Sequence, residues 1–272
     1  MKYIVAVSGG VDSVVLLDLL SKTREHQLIV AHFDHGIREN SHEDAEFVKQ
    51  LAEKYGHTFE VKREELGPQA GEALARERRY AFLQELAKKH EAQIVTAHHL
   101  DDLVETVAIN FVRGTGWRGL AVFHPSIIRP LIDMPKEKLV AYAKRHSLEW
   151  REDPTNKTEA YLRNRLRGRA EFLPEDKKRE IRALHAAQSE LRKHIGQEIR
   201  QLVGDGPEYS RYLFIHLPAK VALEALRYVT KKKLTRPQLE RLLHAIKTNP
   251  HGTKFEAGTG ITAHFTTRNF TL

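Results

Sequence analysis

The sequence predicts an α/β protein with a doubly wound parallel sheet, followed by a small C-terminal α+β domain. Short β-branched runs alternate with longer apolar-periodic segments through the first half of the chain, and glycine or polar residues follow these runs directly. A glycine-proline turn at residues 204–207 then precedes a mixed remainder. Strands that alternate with helices indicate a parallel sheet covered by helices on both faces.

The N-terminal elements follow from hydrophobic periodicity. Residues 4–7 form a β-branched run that ends at a glycine turn, and residues 14–20 form an apolar helix. The pattern then repeats, with strands predicted at residues 28–33, 58–61, 93–97 and 127–128, and helices at residues 41–55, 72–89, 101–112 and 135–146. In such sheets ligands bind beyond the carboxyl ends of the strands.

The C-terminal part begins with a long helix. Apolar residues spaced by three or four from 181 to 202 predict this helix, which ends before the turn at 204–207. The remainder predicts a strand at 212–216, helices near 219–229 and 237–247, and a hairpin over 253–272. We therefore expect a catalytic domain at 1–175, a linking helix at 176–204 and a small domain at 205–272.

Composition narrows the class of function. The 272 residues carry 44 Lys and Arg against 36 Asp and Glu, a formal net charge of +8 that favours polyanionic partners. The absence of cysteine excludes disulfides, cysteine-ligated zinc, iron–sulfur clusters and thiol nucleophiles. Residues 8–10 interrupt the apolar N-terminal run before a signal peptide or a membrane span forms. We expect a cytoplasmic protein that does not associate with membranes.

The strongest motif, SGGVDS, lies between a predicted strand and a predicted helix. Glycines let several backbone N–H groups point inward, serines add hydroxyl donors, and a helix N-terminus adds positive potential. The motif lacks the Gly-Lys-Ser/Thr ending of kinase-like phosphate loops, which disfavours transfer of the γ-phosphate. The alternative is an ordinary tight turn. The predicted ATP-binding residues here are Ser8, Gly9, Gly10, Val11, Asp12 and Ser13.

Residues 34–38 (DHGIR) follow the second predicted strand. In this topology the end of that strand lies near the adenosine of a nucleotide bound to the glycine loop. Arg38 could reach a phosphate or a developing negative charge. We therefore include Asp34 and Arg38 in the predicted ATP site. Taken alone, the segment also fits a hydrogen-bonded loop.

A second dense group of polar residues, HHLDDLVET, opens the helix after the fourth strand. Asp101 or Asp102 and Glu105 lie three or four residues apart, so two acidic side chains share one face near the helix start. Carboxylates in this position can hold Mg²⁺ on ATP, or bind and deprotonate an attacking ammonium group. The alternative is helix capping, which needs no catalytic role. Zinc on the paired histidines is disfavoured because a third ligand is not evident.

These motifs belong to a longer pattern. In chain order it comprises SGGVDS at 8–13, DHGIR at 34–38, ARERRYAFL at 75–83, HHLDDLVET at 98–106, RGTGWRGL at 113–120, RPL at 129–131, EDPTN at 152–156 and YLRNRLR at 161–167. In this order the chain resembles the compact tRNA(Ile)-lysidine synthetases, which are PP-loop ATPases. Residues 121–125 depart from the small turn that usually follows RGTGWRGL in that family.

The resemblance implies a reaction and its participants. The cytidine O2 at the wobble position of an isoleucine tRNA with a CAU anticodon would attack the α-phosphorus of ATP, and the ε-amine of L-lysine would then displace AMP. ATP and Mg²⁺ would be the cofactors. Asp101, Asp102, Glu105 and Arg113 would be catalytic: Asp102 and Glu105 would handle lysine or Mg²⁺, and the Mg²⁺ ligands would be Asp101 and Asp102. Arg113, Arg76 and Arg79 would neutralise phosphate charge, and Arg76 and Arg79 would bind tRNA.

Basic segments favour contacts with RNA. Arginines alternate at 163, 165, 167 and 169, a pattern too polar for a core and suited to phosphates at an RNA stem-loop, although a solvated basic face is the alternative. The predicted tRNA-binding residues of this segment are Asn156, Arg163, Asn164, Arg165 and Arg167, and the domain at 205–272 is the second predicted tRNA-binding part. Residues 231–233 and Arg236 form a further basic cluster.

Three other functions compete with this interpretation. A PP-loop tRNA thiolase needs cysteines to carry sulfur or bind a cluster, and the chain has none. An ammonia-using synthetase shares the glycine loop but does not need the arginine segment. A non-catalytic RNA-binding protein would not need an intact phosphate loop and intact acidic residues. The sequence leaves the oligomeric state open, a homodimer included.

Overall fold

The structure of the protein, a computed structural model, describes residues 1–23, 25–36, 41–67, 71–123, 126–151, 173–231 and 233–272. The chain divides into two compact units, Met1–Gln188 and Ser189–Leu272. No helix in these described ranges is long and apolar enough to cross a membrane.

The first unit is built on a parallel sheet of five strands. These are β1 Lys2–Ala6, β2 Gln27–Asp34, β3 Thr58–Arg63, β4 Gln93–Val95 and β5 Ile127–Ile128, in the order β3-β2-β1-β4-β5. All four strand pairs are parallel. The helices of this unit are α1 Val11–Thr23, α2 Ser41–Tyr55, α3 Glu72–His90, α4 Leu100–Val112 and α5 Lys136–Arg145, with a short 3₁₀ turn at Trp117–Gly119. The predicted α/β class with a parallel sheet is confirmed.

Helices cover both faces of this sheet. Successive side chains of a strand point to opposite faces, so Val5 of β1 packs in a core with α1, α2 and α5, whereas Ile4 packs in a second core with α3. Val5 and Ile4 are both fully buried. This double coverage explains why β1, β2 and β4 are nearly continuous apolar runs, whereas β3, at the edge of the sheet, alternates polar and apolar residues.

The strand order creates a crevice between β1 and β4. The chain winds outward from β1 through β2 to β3, and then returns to place β4 on the other side of β1. Such a reversal separates the loops that follow the two central strands, and ligands of open α/β sheets bind there. The glycine loop follows β1, and the acidic segment follows β4. The sheet therefore brings the two strongest sequence motifs to one place.

A long helix, α6 Glu175–Val203, runs from the first unit into the second. The second unit further contains helices α7 Arg211–His216, α8 Ala219–Val229 and α9 Arg236–Thr248, and strands β6 Glu208–Ser210, β7 Lys254–Gly258, β8 Ile261–Phe265 and β9 Asn269–Thr271. The strands form an antiparallel sheet in the order β6-β9-β8-β7. The predicted small α+β module is confirmed, and its hairpin is β7–β8.

One predicted element is wrong: residues 212–216 are helical, not extended. The hydroxyl of Ser210 caps α7 by accepting from the backbone N–H of Leu213 at 3.3 Å, and Pro218 follows the helix end. Phe214 is completely buried in the core of the second unit. The apolar-aromatic run that suggested a strand is therefore a single capped helical turn that buries one face.

Candidate active site

The glycine loop, residues 8–13, joins β1 to α1 at the carboxyl edge of the sheet. Gly9 has a φ of +90°, which favours glycine, and its carbonyl accepts from the backbone N–H of Arg151 at 3.0 Å. The Ser13 hydroxyl donates to the carbonyl of Gly10 at 2.8 Å and accepts from the backbone N–H of Ser8 at 3.2 Å. Ser13 therefore fixes the curl of the loop, which leads into the N-terminus of α1 at Val11.

The start of α4 lies beside this loop. The backbone N–H of His99 donates to Oδ2 of Asp102 at 3.0 Å, so Asp102 closes the first turn of the helix. Nε2 of His99 lies 3.7 Å from Oδ2 of Asp12 in the loop. Helix capping by Asp102 is thus present, but the same carboxylate remains 24% exposed at the crevice.

Asp101 is engaged through both of its carboxylate oxygens. Oδ1 contacts Nζ of Lys178, and Oδ2 accepts from the backbone N–H of Lys136 at 2.8 Å. Burial would raise the pKa of Asp101, but contacts with His99, Lys178 and the Lys136 amide hold it well below its usual range. Asp101 therefore acts in this structure as a link between α4, α5 and α6.

Sequence analysis missed two lysines of this site. Lys136 at the start of α5 donates from Nζ to both carboxylate oxygens of Asp12, each at 2.6 Å. The two residues are 124 positions apart in the sequence. Lys178 is 77 positions from Asp101. No local motif marks either lysine, because the contacts depend on the approach of α5 and α6 to the sheet edge.

His99 lies at the centre of the acidic cluster. Its side chain is 4% exposed, and its ring nitrogens lie 3.4 Å from Asp102, 3.6 Å from Asp101 and 3.7 Å from Asp12. Burial alone would lower the pKa of His99, but the contact with Asp101 and the charges of Asp102 and Asp12 outweigh it and raise the pKa. The imidazole therefore favours its charged form among three carboxylates.

Glu105 lies one turn beyond Asp102 on α4. The spacing of three residues places the two carboxylates on the same face of the helix. Glu105 is 3% exposed, whereas the side chain of Asp102 is 24% exposed. The structure therefore gives the pair two different environments, one buried and one open to the crevice.

Asp34 ends β2 at the same edge of the sheet. Its carboxylate accepts from the backbone N–H of Gly36 at 2.9 Å and lies 3.5 Å from Arg63. Burial would raise the pKa of Asp34, but these contacts and a hydrogen bond with Ser41 lower it. The residue is 4% exposed and therefore stabilises the turn after β2 as an ionised group.

A second polar group occupies the carboxyl ends of β4 and β5. Nδ1 of His98 lies 2.8 Å from the hydroxyl of Thr96, and its ring lies 5.3 Å from the ring of Phe123. The guanidinium group of Arg129 lies 4.4 Å from the centre of the same Phe123 ring. Phe123 thus contacts both an imidazole and a cation, and its φ is +71°.

Two arginines of α3 approach the same imidazole. The guanidinium groups of Arg76 and Arg79 lie 4.9 and 5.7 Å from the centre of the Tyr80 ring. Burial, followed by the charges of Arg129, Arg76 and Arg79, lowers the pKa of His98 to about 2. The carboxyl edge therefore has a basic side next to β4 and β5 and an acidic side around His99.

The sequence of the first unit matches a known protein family. The PP-loop domain family, a family of ATP-binding domains, matches residues 1–175. The chain belongs to the PP-loop family. Its glycine loop is the element after which that family is named, and the loop lies in the crevice where the strand order reverses.

Relatives with assigned functions are similar to this PP-loop protein over part of its length. A tRNA(Ile)-lysidine synthase from Bacillus cereus is 42% identical over 182 residues, which cover 60% of this chain and 38% of the relative. A tRNA(Ile)-lysidine synthase from Thermus thermophilus is 44% identical over 172 residues, which cover 60% of this chain and 34% of the relative. The matched region thus spans little more than a third of these relatives.

Among solved structures, the U34-tRNA thiolase of Methanococcus maripaludis has a similar fold. Its TM-score is 0.59 at 19% sequence identity, over 71% of this chain and 72% of the thiolase. At this level of identity the similarity concerns the fold of the PP-loop protein alone.

The donor groups of this PP-loop site fit a nucleotide. The curled loop offers backbone N–H groups and the exposed Ser8 hydroxyl ahead of a helix N-terminus, which is a favourable environment for phosphate. Within the described ranges, no group of three or more His, Cys, Asp or Glu side chains is arranged to hold a metal ion by itself. Mg²⁺ usually binds proteins through one or two carboxylates together with phosphates of the substrate, and Asp102 fits that mode.

Arg113, another predicted residue, is not brought together with this site. Arg113 caps the opposite end of α4, about 16 Å along the helix from Asp102, and is exposed. The predicted residues that lie outside the described part of the chain are Arg38, Asn156, Arg163, Asn164, Arg165 and Arg167. The basic cluster at 231–233 is described except for residue 232.

Proposed function

We propose that this PP-loop protein uses ATP to adenylate the wobble cytidine of an isoleucine tRNA with a CAU anticodon, and then joins L-lysine to that base. The observation that carries the proposal is the 42–44% identity to tRNA(Ile)-lysidine synthases over 172–182 residues. The crevice between β1 and β4 supports it, because a phosphate loop and two acidic residues face the same place.

The first step needs a bound nucleotide and a nucleophile. Residues 8–13 hold the β- and γ-phosphates in this proposal. Asp34 and Arg38 are assigned to the nucleotide from the sequence. The cytidine O2 attacks the α-phosphorus, a P–O bond to the pyrophosphate breaks, and pyrophosphate leaves. Mg²⁺, held by Asp102 with the phosphates, supplies charge neutralisation when bound. We favour Asp102 over Asp101 because both oxygens of Asp101 have protein partners.

The second step needs a neutral amine. The lysine ε-amine has an ordinary pKa near 10.4, so at neutral pH a carboxylate must both bind the ammonium and accept its proton. Glu105 and Asp102 are the proposed pair. A C–N bond forms at C2 of the base, the C–O bond to the adenylate breaks, and AMP leaves.

The tRNA contacts complete the proposal. Arg76 and Arg79 lie on the basic side of the crevice, where, after burial, the charges of Arg129, Arg76 and Arg79 lower the pKa of His98. The other tRNA contacts proposed from sequence are the domain at 205–272 and residues Asn156, Arg163, Asn164, Arg165 and Arg167. Arg113 is proposed from sequence as a catalytic residue that neutralises phosphate charge. We assign the protein to the cytoplasm, where its tRNA substrate is found, and leave open whether it acts as a homodimer.

The experiment measures product formation directly. The protein is incubated with ATP, Mg²⁺, L-lysine and a tRNA(Ile) transcript with a CAU anticodon, and pyrophosphate release is followed together with nucleoside mass. Pyrophosphate release that requires the tRNA, and a nucleoside heavier by one lysyl residue, are the expected results. A transcript with uridine at the wobble position is the control.

Other outcomes would favour the competing functions. Release that proceeds with ammonia in place of lysine and without tRNA would indicate an ammonia-using synthetase. Tight tRNA binding with no pyrophosphate release under any of these conditions would indicate a non-catalytic RNA-binding protein. Either result would contradict the proposed reaction.

A further inference from the structure

The glycine loop of this protein has no lysine of its own. SGGVDS is followed by an apolar helix, and the first lysine after it is Lys22 at the far end of α1. Phosphate loops of the kinase-like type place a lysine directly after the glycines, where it neutralises the phosphate chain. A loop that binds a polyphosphate without such a residue needs a cation from another part of the fold.

Lys136 reaches this loop from the start of α5. Its Nζ donates to both carboxylate oxygens of Asp12 at 2.6 Å, and its side chain is 30% exposed. Asp12 lies in the first turn of α1, next to the loop amides. The ammonium group of Lys136 therefore lies beside the loop that would hold phosphate, separated from its backbone by the side chain of Asp12.

The backbone of Lys136 is held by contacts that do not involve its side chain. The Lys136 amide donates to Oδ2 of Asp101 at 2.8 Å, and the carbonyl of Met134 accepts from the backbone N–H of Leu100 at 3.0 Å. These two bonds hold the start of α5 against the start of α4. The side chain of Lys136 can consequently change partner without movement of the backbone.

The two lysine–carboxylate pairs of the site differ in how easily they can separate. Lys178 and Asp101 are 9% and 11% exposed, so separating them would leave two buried charges without compensation. Lys136 and Asp12 are 30% and 26% exposed, so water can compensate part of their charge when they separate. Of the two lysines, Lys136 is therefore the one that can leave its carboxylate partner and bind a ligand.

We propose that Lys136 is the phosphate-binding lysine of this PP-loop. It pairs with Asp12 when the loop is empty, and turns to the oxygens of the polyphosphate when a nucleotide or pyrophosphate binds. The inference rests on the proposed function in one respect, namely that residues 8–13 bind the phosphates of ATP. It adds a residue that no sequence motif marks and that acts before tRNA or lysine arrives.

The test measures binding of inorganic pyrophosphate and of ATP by titration calorimetry, without Mg²⁺, tRNA or lysine. Lys136→Gln should bind both at least about tenfold more weakly than the unmodified protein, as expected for loss of one charge-assisted hydrogen bond. Lys138→Gln is the matched control, because Lys138 lies on the same helix, is 56% exposed and pairs with Glu175 at 3.3 Å. That variant should bind like the unmodified protein.

A double-mutant cycle separates direct contact from simple neutralisation of Asp12. If Lys136 only screens Asp12, the effect of Lys136→Gln should disappear in an Asp12→Asn background. If Lys136 contacts phosphate, Asp12→Asn alone should bind pyrophosphate more tightly, and adding Lys136→Gln should still weaken binding at least about tenfold. Titrations at moderate salt reduce through-space charge effects between exposed groups.

The outcomes distinguish this inference from the proposed function. Unmodified protein that binds neither ATP nor pyrophosphate would overturn the assignment of the loop, and the inference with it. Unmodified protein that binds both, with Lys136→Gln equal to it or rescued fully by Asp12→Asn, would overturn the inference alone. If Lys136→Gln does not fold, the double variant Asp12→Asn, Lys136→Gln keeps the test decisive, because it leaves no carboxylate without its cation and should still bind pyrophosphate at least about tenfold more weakly than Asp12→Asn.

Discussion

Lys178 and Asp101 form a buried ion pair that ties the first turn of α6 to the first turn of α4. Their side chains are 9% and 11% exposed, and the Asp101 carboxylate also accepts from the Lys136 amide. Desolvation of two charges is costly, so the net benefit of such a pair is small, but loss of one partner leaves an uncompensated charge. The role of Asp101 is therefore structural: it holds the starts of α4, α5 and α6 together.

Removal of this lysine should reduce stability. Lys178→Met should lower the free energy of unfolding by about 3 kcal/mol, because Asp101 would keep a buried charge without its cation. Urea denaturation at equilibrium measures the change. Lys177→Met is the control, since Lys177 is 54% exposed and pairs with Glu180 on the same helix. It should change stability by no more than about 0.5 kcal/mol, and equal effects of the two variants would contradict a structural role for the pair.

His98, which follows β4, should make stability depend on pH. The pKa of His98 is lowered to about 2 in the folded protein, against about 6.5 when unfolded. The unfolded chain therefore gains a proton below pH 6.5 that the folded chain does not, and stability falls as pH decreases. Between pH 7 and pH 5 His98 should account for up to about 2 kcal/mol of this loss. His98→Gln should show a correspondingly flatter dependence in urea denaturation, and an unchanged slope would contradict the assignment.

The sequence predicts which residues follow the strands better than it predicts contacts between residues that are far apart along the chain. Local periodicity identifies β1 and β4, and the parallel topology then brings residues 8–13 and 98–102 to one edge. Lys136 has no such signal, because its contact with Asp12 spans 124 positions and depends on how α5 packs on α1. Residues 212–216 were mistaken for a strand because one helical turn is too short to show helical periodicity.

The conformation of the glycine loop should matter separately for folding and for binding. Gly9→Ala should cost about 1–2 kcal/mol, because φ at this position is +90°. Gly56→Ala is the control: φ is +72° there, and no atom lies within 4 Å of an added Cβ. Both variants should lose similar stability, but only Gly9→Ala should weaken ATP binding in titration calorimetry. Weakened ATP binding by Gly56→Ala as well would mean that general destabilisation explains the effect.

The basic side of the crevice should contribute to tRNA affinity. An Arg76→Ala, Arg79→Ala double variant should bind tRNA(Ile) less tightly and with a shallower salt dependence, because each lost phosphate contact lowers the log–log slope by somewhat under about one unit. Filter binding over a range of salt concentrations measures the slope. Arg78→Ala is the control on the same helix, since Arg78 is 52% exposed and pairs with Glu64. A double variant with the slope of the control would remove these arginines from the interface.

The two carboxylates of α4 should separate the two half-reactions. Glu105 is 3% exposed and Asp102 is 24% exposed, so Asp102, which is open to the crevice, is the better partner for a metal-bound phosphate, and Glu105 is assigned to the lysine amine. Glu105→Gln should still form adenylated tRNA from ATP, but should transfer it slowly to lysine because the ammonium group loses its base. Asp102→Asn should instead impair adenylation itself.

Labelled AMP on tRNA, followed before and after lysine is added, distinguishes these steps. For Glu105→Gln the label should accumulate and then persist, with a transfer rate lower by about 100-fold or more, the range expected for loss of a general base. Higher pH should restore part of the rate, because free lysine then supplies its own neutral amine. Glu53→Gln on the exposed side of α2 is the control for the Glu-to-Gln change itself. Normal transfer rates for both Glu105→Gln and Asp102→Asn would move the amine site away from the start of α4, even if lysidine is formed.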